Sequence, residues 1–145
     1  VTDGVIFHNT LASSDYGYLK HGTFLPRPNY FAVLLWNRLM GQTVYATGEE
    51  IRPGAHVYAH SRKDGKPGYC YLVINNSLTD VTTVGIPAKG EIYVLSGNGN
   101  MRNKVMYLNG KPLTLGENNE LPALDGTPVS GKIELAPGTC SFILV

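Results

Sequence analysis

The side chains able to do acid–base work are eleven carboxylates: Asp3, Asp15, Glu49, Glu50, Asp64, Asp80, Glu91, Glu117, Glu120, Asp125 and Glu134. Cleaving a glycosidic bond with retention needs two carboxyls about 5 Å apart on opposite sides of it. In a barrel enzyme such groups stand at the C-terminal ends of strands. Only Asp15 follows a stretch of that kind, Val5-Ile6-Phe7; the others fall at turns or on strands of an all-β pattern. The sequence therefore offers no acid/base pair, and no catalytic residue is assigned.

Other chemistries fare no better. His56 and His60 flank Tyr58 at period-two spacing, so they share one face of a strand. A zinc site needs further ligands and second-shell partners, and the expected reading is the wet face of an edge strand, with no metal. His8 ends the first apolar run and suits a hydrogen bond inside a barrel. No G-x-S-x-G elbow or Cys/His pair stands out. Gly97-Asn98-Gly99 is not followed by a helix carrying a lysine, so it is no phosphate loop. No cofactor is expected. Tyr16 lies in the small-residue loop HNTLASSDYGYL, where it could stack on a ligand or simply cap the packing.

These residues need elements to hold them. The chain has 145 residues, enough for one domain with a core and a small appendage. Hydrophobic residues make up 43% and charged ones 16%. That charge fraction is low for a domain wholly in water, so something else is expected to cover part of the surface. A net charge of +1 with no concentrated basic face argues against nucleic acid or an acidic membrane as partner. No run is apolar enough to span a bilayer, and Val1-Thr2-Asp3 opens no signal peptide. Cys70 and Cys140 each sit in a strand-like run. They either pair across a sandwich or remain two buried thiols. Asn75-Asn76-Ser77 is a glycan acceptor sequence, relevant if the protein is secreted in a eukaryote.

Val5-Ile6-Phe7 is continuously apolar, as strands covered on both faces are. A helix is expected from Pro28, suited to the first helical position, to about Met40, with Gly41 ending it in the left-handed conformation. Between Tyr30 and Met40 only Asn37 and Arg38 are polar. A helix so apolar is expected to be covered on more than one side. After it come short strands at Thr43–Thr47, Ala55–His60, Tyr69–Asn75, Val81–Ile86, Glu91–Leu95, Lys104–Leu108, Pro112–Leu115, Lys132–Leu135 and Cys140–Val145, spaced as in an antiparallel sandwich. Asn109-Gly110 reads as a two-residue hairpin turn with positive φ at both positions.

HNTLASSDYGYL, the Pro26, Pro28 and Tyr30 spacing, LLWNRLMG at Leu34–Gly41 and MYLNGKPLTL at Met106–Leu115 together resemble the heparanase-like glycoside hydrolases, the group that includes endo-β-glucuronidases. So do Leu121-Pro122 and the closing SFILV, and the likeness runs along essentially the whole chain. The resemblance implies a mainly β fold: an antiparallel β-sandwich, residues 43–145, preceded by the last strand–loop–helix unit of a (β/α)8 barrel, residues 1–42. It also implies that the catalytic glutamates lie upstream, outside this chain, and that Tyr16, with Asp15 and Ser14, lines a substrate pocket. Relatives carry asparagine or glycine where Asp15 stands, and commonly Arg-Gln where His8-Asn9 stand. The implied partners are the rest of the barrel and a glycan, either a glycosaminoglycan or another uronic-acid glycan. The implied setting is secreted, periplasmic or extracellular. A different reading takes the chain as a stand-alone carbohydrate-binding or structural sandwich that dimerises by exchanging its 1–42 arm.

Overall fold

A computed structural model of the chain describes residues 10–13, 16–48 and 54–145. The expected first strand, with His8, Asn9, Ser14, Asp15, Glu49 and Glu50, lies outside the described residues.

The elements run α1 (Pro28–Leu39), β1 (Met40–Tyr45), β2 (Ala55–Arg62), β3 (Tyr69–Asn75), β4 (Thr82–Ser96), β5 (Tyr107–Leu108), β6 (Lys111–Pro112), β7 (Thr127–Leu135) and β8 (Thr139–Leu144). The strands join in one antiparallel sheet, ordered β1-β2-β3-β8-β4-β5-β6, with β7 also pairing with β4. The last strand thus sits at the centre. β8 pairs with β3 along Cys70–Asn75 on one edge and with β4 along Glu91–Leu95 on the other.

Burial on both faces explains why β3 and β8 read as unbroken apolar runs. Cys70, Leu72 and Phe142 join Phe31 and Leu35 of α1 in one core. Val73 and Ile143, one step along the same strands, join Ile86 and Leu135 in a second core on the opposite face. That second core lies under a ribbon made by the first half of β4 and by β7. Side chains of alternating residues go to opposite faces, so two cores share two strands. Phe142 and Ile143 are each 1% exposed; burying each contributes about 1.5–3 kcal/mol.

β4 merges two of the expected strands. Val81–Ile86 and Glu91–Leu95 are one strand with a register irregularity between Ile86 and Gly90. The irregularity lets one strand serve both the ribbon and the central sheet. Gly90 is needed there because a Cβ would run into the carbonyl group of Leu144. The expected strands at Lys104–Leu108 and Pro112–Leu115 shrink to two-residue ladders around Asn109-Gly110. That turn forms as the dipeptide demands, with φ of 48° and 79°. Asn109 does more than turn the chain. Its side chain accepts from Val94 N–H at 2.8 Å and donates to the Ile92 carbonyl at 3.0 Å.

α1 starts at Pro28 as expected, with no side-chain cap. Its stability therefore leans on packing, which is the usual source for a short helix. Phe31 and Leu35, four apart and so on one face, are buried against this chain's own strands. The opposite side is not closed: Val33 and Leu34 are half-buried and Trp36 is 40% exposed. The helix does not end on a left-handed glycine. Met40 is extended (φ −86°, ψ 121°), and the chain passes directly into β1. Gly41 is required for a different reason: a Cβ would collide with Ser61 and the Arg62 carbonyl of β2.

The β2–β3 turn is held by Asp64, which accepts from both Nε (3.0 Å) and a terminal nitrogen (2.8 Å) of Arg62 and from Lys66 N–H. The fork–fork hydrogen bonds from Arg62 hold the Asp64 carboxyl at about 2. Because the folded value is depressed, the pair stabilises the fold above the unfolded carboxylate range and loses that effect as pH falls through about 2. An NMR titration should place the Asp64 midpoint near that value, and Arg62→Gln should return it toward the usual carboxylate range.

Asn75 closes the far end of β3. It is 1% exposed. Its amide nitrogen donates to the carbonyls of Asp80 (2.8 Å), Leu135 (3.0 Å) and Ala136 (3.2 Å), and its oxygen accepts from Ser77 N–H. The nitrogen that a glycan would occupy is thus buried and fully used in the folded protein. Asn75→Ala should cost about 2–4 kcal/mol in denaturant unfolding, since it leaves buried acceptors unpaired. Asn75→Asp, the same size, should cost a comparable amount at neutral pH by setting a carboxylate against carbonyl oxygens.

Candidate functional site

Tyr16 stands at the tip of a small ribbon. Tyr18 N–H donates to the Thr10 carbonyl (3.2 Å) and Leu19 N–H to the Leu11 carbonyl (2.8 Å). Arg27 N–H donates back to the Tyr18 carbonyl at 2.8 Å, and Leu19 bridges Pro26. Three extended segments thus lie side by side, ending where Pro28 starts α1. His21 Nδ1 lies 3.1 Å from the Ala12 carbonyl and ties the tip down. Gly17 is buried beneath the ribbon, whereas Tyr16 is 74% exposed. An exposed phenol on a braced loop can stack on or hydrogen-bond a sugar ring. Ser14 and Asp15, its expected companions, lie outside the described residues.

The expected absence of an acid/base pair bears on one cleft of about 520 Å³, which Asp64 and Glu91 both line. Asp64 is held ionised by Arg62 and so has no proton to give at ordinary pH. Glu91 accepts from the Tyr93 hydroxyl at 3.0 Å; burial, then this bond, pushes that phenol up to about 12. Arg38, Arg62, Lys63, Lys66 and Lys89 line the same cleft. This convergence is missed in the sequence because Arg38 and Lys89 come from α1 and β4, far from the β2–β3 turn. Only the local run Ser61-Arg62-Lys63-Asp64-Gly65-Lys66 signals it.

The histidines do share one face of β2, wet at Tyr58, which is 47% exposed, and closed at His60. β1 pairs outside the Ala59–Arg62 half of β2, so at His60 the strand is not an edge. His60 is 9% exposed, with Nδ1 2.8 Å from the Gly41 carbonyl and its ring 5.1 Å from that of Trp36. His56 Nε2 lies 3.3 Å from the Asn76 amide nitrogen. Among the described residues, no three histidine, cysteine or acidic side chains converge as a metal site would require.

Cys70 and Cys140 are free thiols. Cys70 pairs with Leu144 and Cys140 with Ile74, so they lie four positions apart along the ladder on one face, too far to bridge. Burial pushes the thiols up to about 12 and about 11, which leaves both unreactive. Among the described residues, no helix is long and apolar enough to cross a membrane.

No protein-family profile matches the chain. Individual proteins do. A baicalin-β-D-glucuronidase of Scutellaria baicalensis is 33% identical over 92% of this chain and 27% of its own length. Heparanase-like protein 1 of Arabidopsis thaliana is 29% identical over 97% of this chain and 33% of its own. A hyaluronoglucuronidase of Hirudo nipponia is 27% identical over 97% and 32%. The chain spans about a third of the length of these curated relatives. Along nearly its whole length, then, this mainly β chain is similar to part of the glucuronidases and heparanase-like proteins.

Proposed function

We propose that this chain is the C-terminal, non-catalytic part of a retaining glycoside hydrolase, in which residues 43–145 form the β-sandwich and residues 1–42 complete a (β/α)8 barrel. The sandwich buttresses the barrel, and the Tyr16 loop, with Ser14 and Asp15, supplies one wall of the substrate pocket. The substrate is a uronic-acid glycan, and the whole protein works outside the cytosol.

The observation that carries this reading is the match of nearly the entire chain to about a third of glucuronidase and heparanase-like relatives. The half-closed helix supports it. α1 spends Phe31 and Leu35 on the sheet but leaves Val33, Leu34 and Trp36 only partly covered. In the ribbon before it, Leu11, Phe24 and Leu25 are exposed at 68%, 63% and 49%. Several large apolar groups exposed on neighbouring segments of the chain call for a partner, and a barrel's remaining strands and helices would provide one. Two glutamates outside this chain would then perform the double displacement.

The test is made in the protein at its full native length. Tyr16→Ala should lower kcat/KM on an aryl β-glucuronide by about tenfold, the loss of one aromatic contact of ~1.5 kcal/mol, with an unchanged melting temperature because the ring is exposed. Asp15→Asn should raise kcat/KM by removing a negative charge beside a uronate. The 145-residue chain alone should hydrolyse nothing. Glucuronide turnover by that isolated chain, or full activity in Tyr16→Ala, would overturn the reading.

A further inference from the structure

The dipeptide Asn-Gly occurs twice in the chain, at Asn98-Gly99 and at Asn109-Gly110. Both form turns of the same kind. Asn98 and Gly99 have φ of 53° and 79°, and Asn109 and Gly110 have 48° and 79°. The first turn is closed by Asn100 N–H, which donates to the Gly97 carbonyl at 3.2 Å. Among the described residues, the space where a Cβ would stand is open at Gly99 and at Gly110 alike. Dipeptide and backbone therefore match, and what separates the two sites is the asparagine side chain.

Asn109 is tied down at both ends of its amide. Oδ1 accepts from Val94 N–H at 2.8 Å, and Nδ2 donates to the carbonyls of Ile92 (3.0 Å) and Asp125 (3.3 Å). Two other asparagines of the β4–β5 connection are engaged as well. Asn100 Oδ1 accepts from Arg102 N–H at 2.9 Å. Asn103 Oδ1 accepts from Val105 N–H at 3.0 Å, and its Nδ2 donates to the Gly97 carbonyl at 3.2 Å. Asn98 differs. Its backbone N–H donates to Ser96 Oγ at 3.3 Å, but among the described residues its side-chain amide has no hydrogen-bond partner. Asn98, Gly99 and Asn100 are all exposed. None of them belongs to the apolar surface that the proposed function turns toward a barrel.

We infer that Asn98-Gly99 is a site of spontaneous covalent modification, at which water converts the Asn98 amide to a carboxylate and reroutes part of the backbone through an isoaspartyl linkage. The Gly99 backbone nitrogen attacks Cγ of Asn98 and gives up its proton to solvent base. The bond from that nitrogen to Cγ forms, and the bond from Cγ to Nδ2 breaks. The leaving nitrogen takes a proton from water and departs as ammonia. Water then opens the five-membered imide at either of its two carbonyls. One opening leaves aspartate; the other leaves isoaspartate, which adds one carbon to the main chain of the turn. No oxidant or reductant takes part. Glycine at the second position leaves the nitrogen open to reaction, because it has no Cβ to crowd the attack. At Asn109 the same attack would first break three hydrogen bonds, two of them on the leaving nitrogen, and each broken bond leaves a backbone group unpaired. This modification goes beyond the proposed part in a glycosidase and does not depend on it.

The experiment is a long incubation of the full-length protein at mildly alkaline pH, then tryptic digestion and mass spectrometry, with fragment masses placing each amide-to-acid conversion. Asn98 falls in the peptide 90–102 and Asn109 in the peptide 105–132, since trypsin passes over Lys111-Pro112. In the folded protein Asn98 should convert at least about tenfold faster than Asn109. Isoaspartate should be the main product, read as methyl uptake from an isoaspartyl methyltransferase. In protein held unfolded by guanidinium the two sites should convert at comparable rates, because the bonds that guard Asn109 are gone. Asn98→Gln, whose longer side chain disfavours the ring closure, should remove the mass gain at that position. The inference is overturned if Asn98 converts no faster than Asn109 in the folded protein, or if it stays intact over the time in which the unfolded chain loses it.

Discussion

The structure depends on the insertion of the last strand between β3 and β4. β8 exchanges backbone hydrogen bonds with both, and its alternate side chains enter opposite cores. Without it, β1–β2–β3 and β4–β7 would be two separate pieces, each with an unpaired edge and an uncovered face. α1 would also lose its support, since Phe31 and Leu35 share their core with Phe142 and Leu144. The first described helix is therefore docked on the last strand, and the contacts that define the fold span most of the chain. Such long-range pairing is slow to form and has to be compensated by extensive burial.

Polar groups are admitted to this interior on strict terms. Asn75 satisfies three carbonyls and one N–H, and Asn109 ties its turn to β4 with both ends of its amide. His60 spans α1 and β1 through Trp36 and the Gly41 carbonyl. Ser141 is an exception among the described residues, a fully buried hydroxyl without a partner. It lies in β8 opposite Val73 and Val94, where it acts as a small residue. Burying an unpaired hydroxyl costs about 1–3 kcal/mol, so this position is held by its size.

Outside these cores the surface divides by chemistry. The β2–β3 turn and Lys89 carry a mixed-charge cleft. The outer side of α1 and the ribbon before it carry exposed apolar groups. Between that ribbon and the β5–β6 hairpin lies a cavity that Phe31, Met106 and Leu113 help to line. A domain with only 16% charged residues keeps water contact in patches, and the patches facing neither core are where partners and ligands are sought. Tyr16 projects from the same ribbon, which is braced by backbone bonds at both ends.

The sequence by itself determined the local features. Pro28 marks the helix start, Asn109-Gly110 supplies a turn that few other dipeptides allow, and the two-face burial of β3 and β8 is written in their unbroken apolar runs. Each rests on one or two residues whose backbone or hydrophobic preference is strong wherever they occur. Tertiary structure decided the rest. Gly41 looks like a helix cap but is required by the approach of β2, a contact twenty residues away in the chain. Asn75 looks like a glycan acceptor but is claimed by carbonyls that β7 and the β4 entry deliver. His60 looks like a surface residue until β1 and Trp36 cover it. Local propensity acts over a few bonds, whereas close approach, burial and charge convergence depend on which distant segments meet; that is why the elements are legible in the residues and the sites are not.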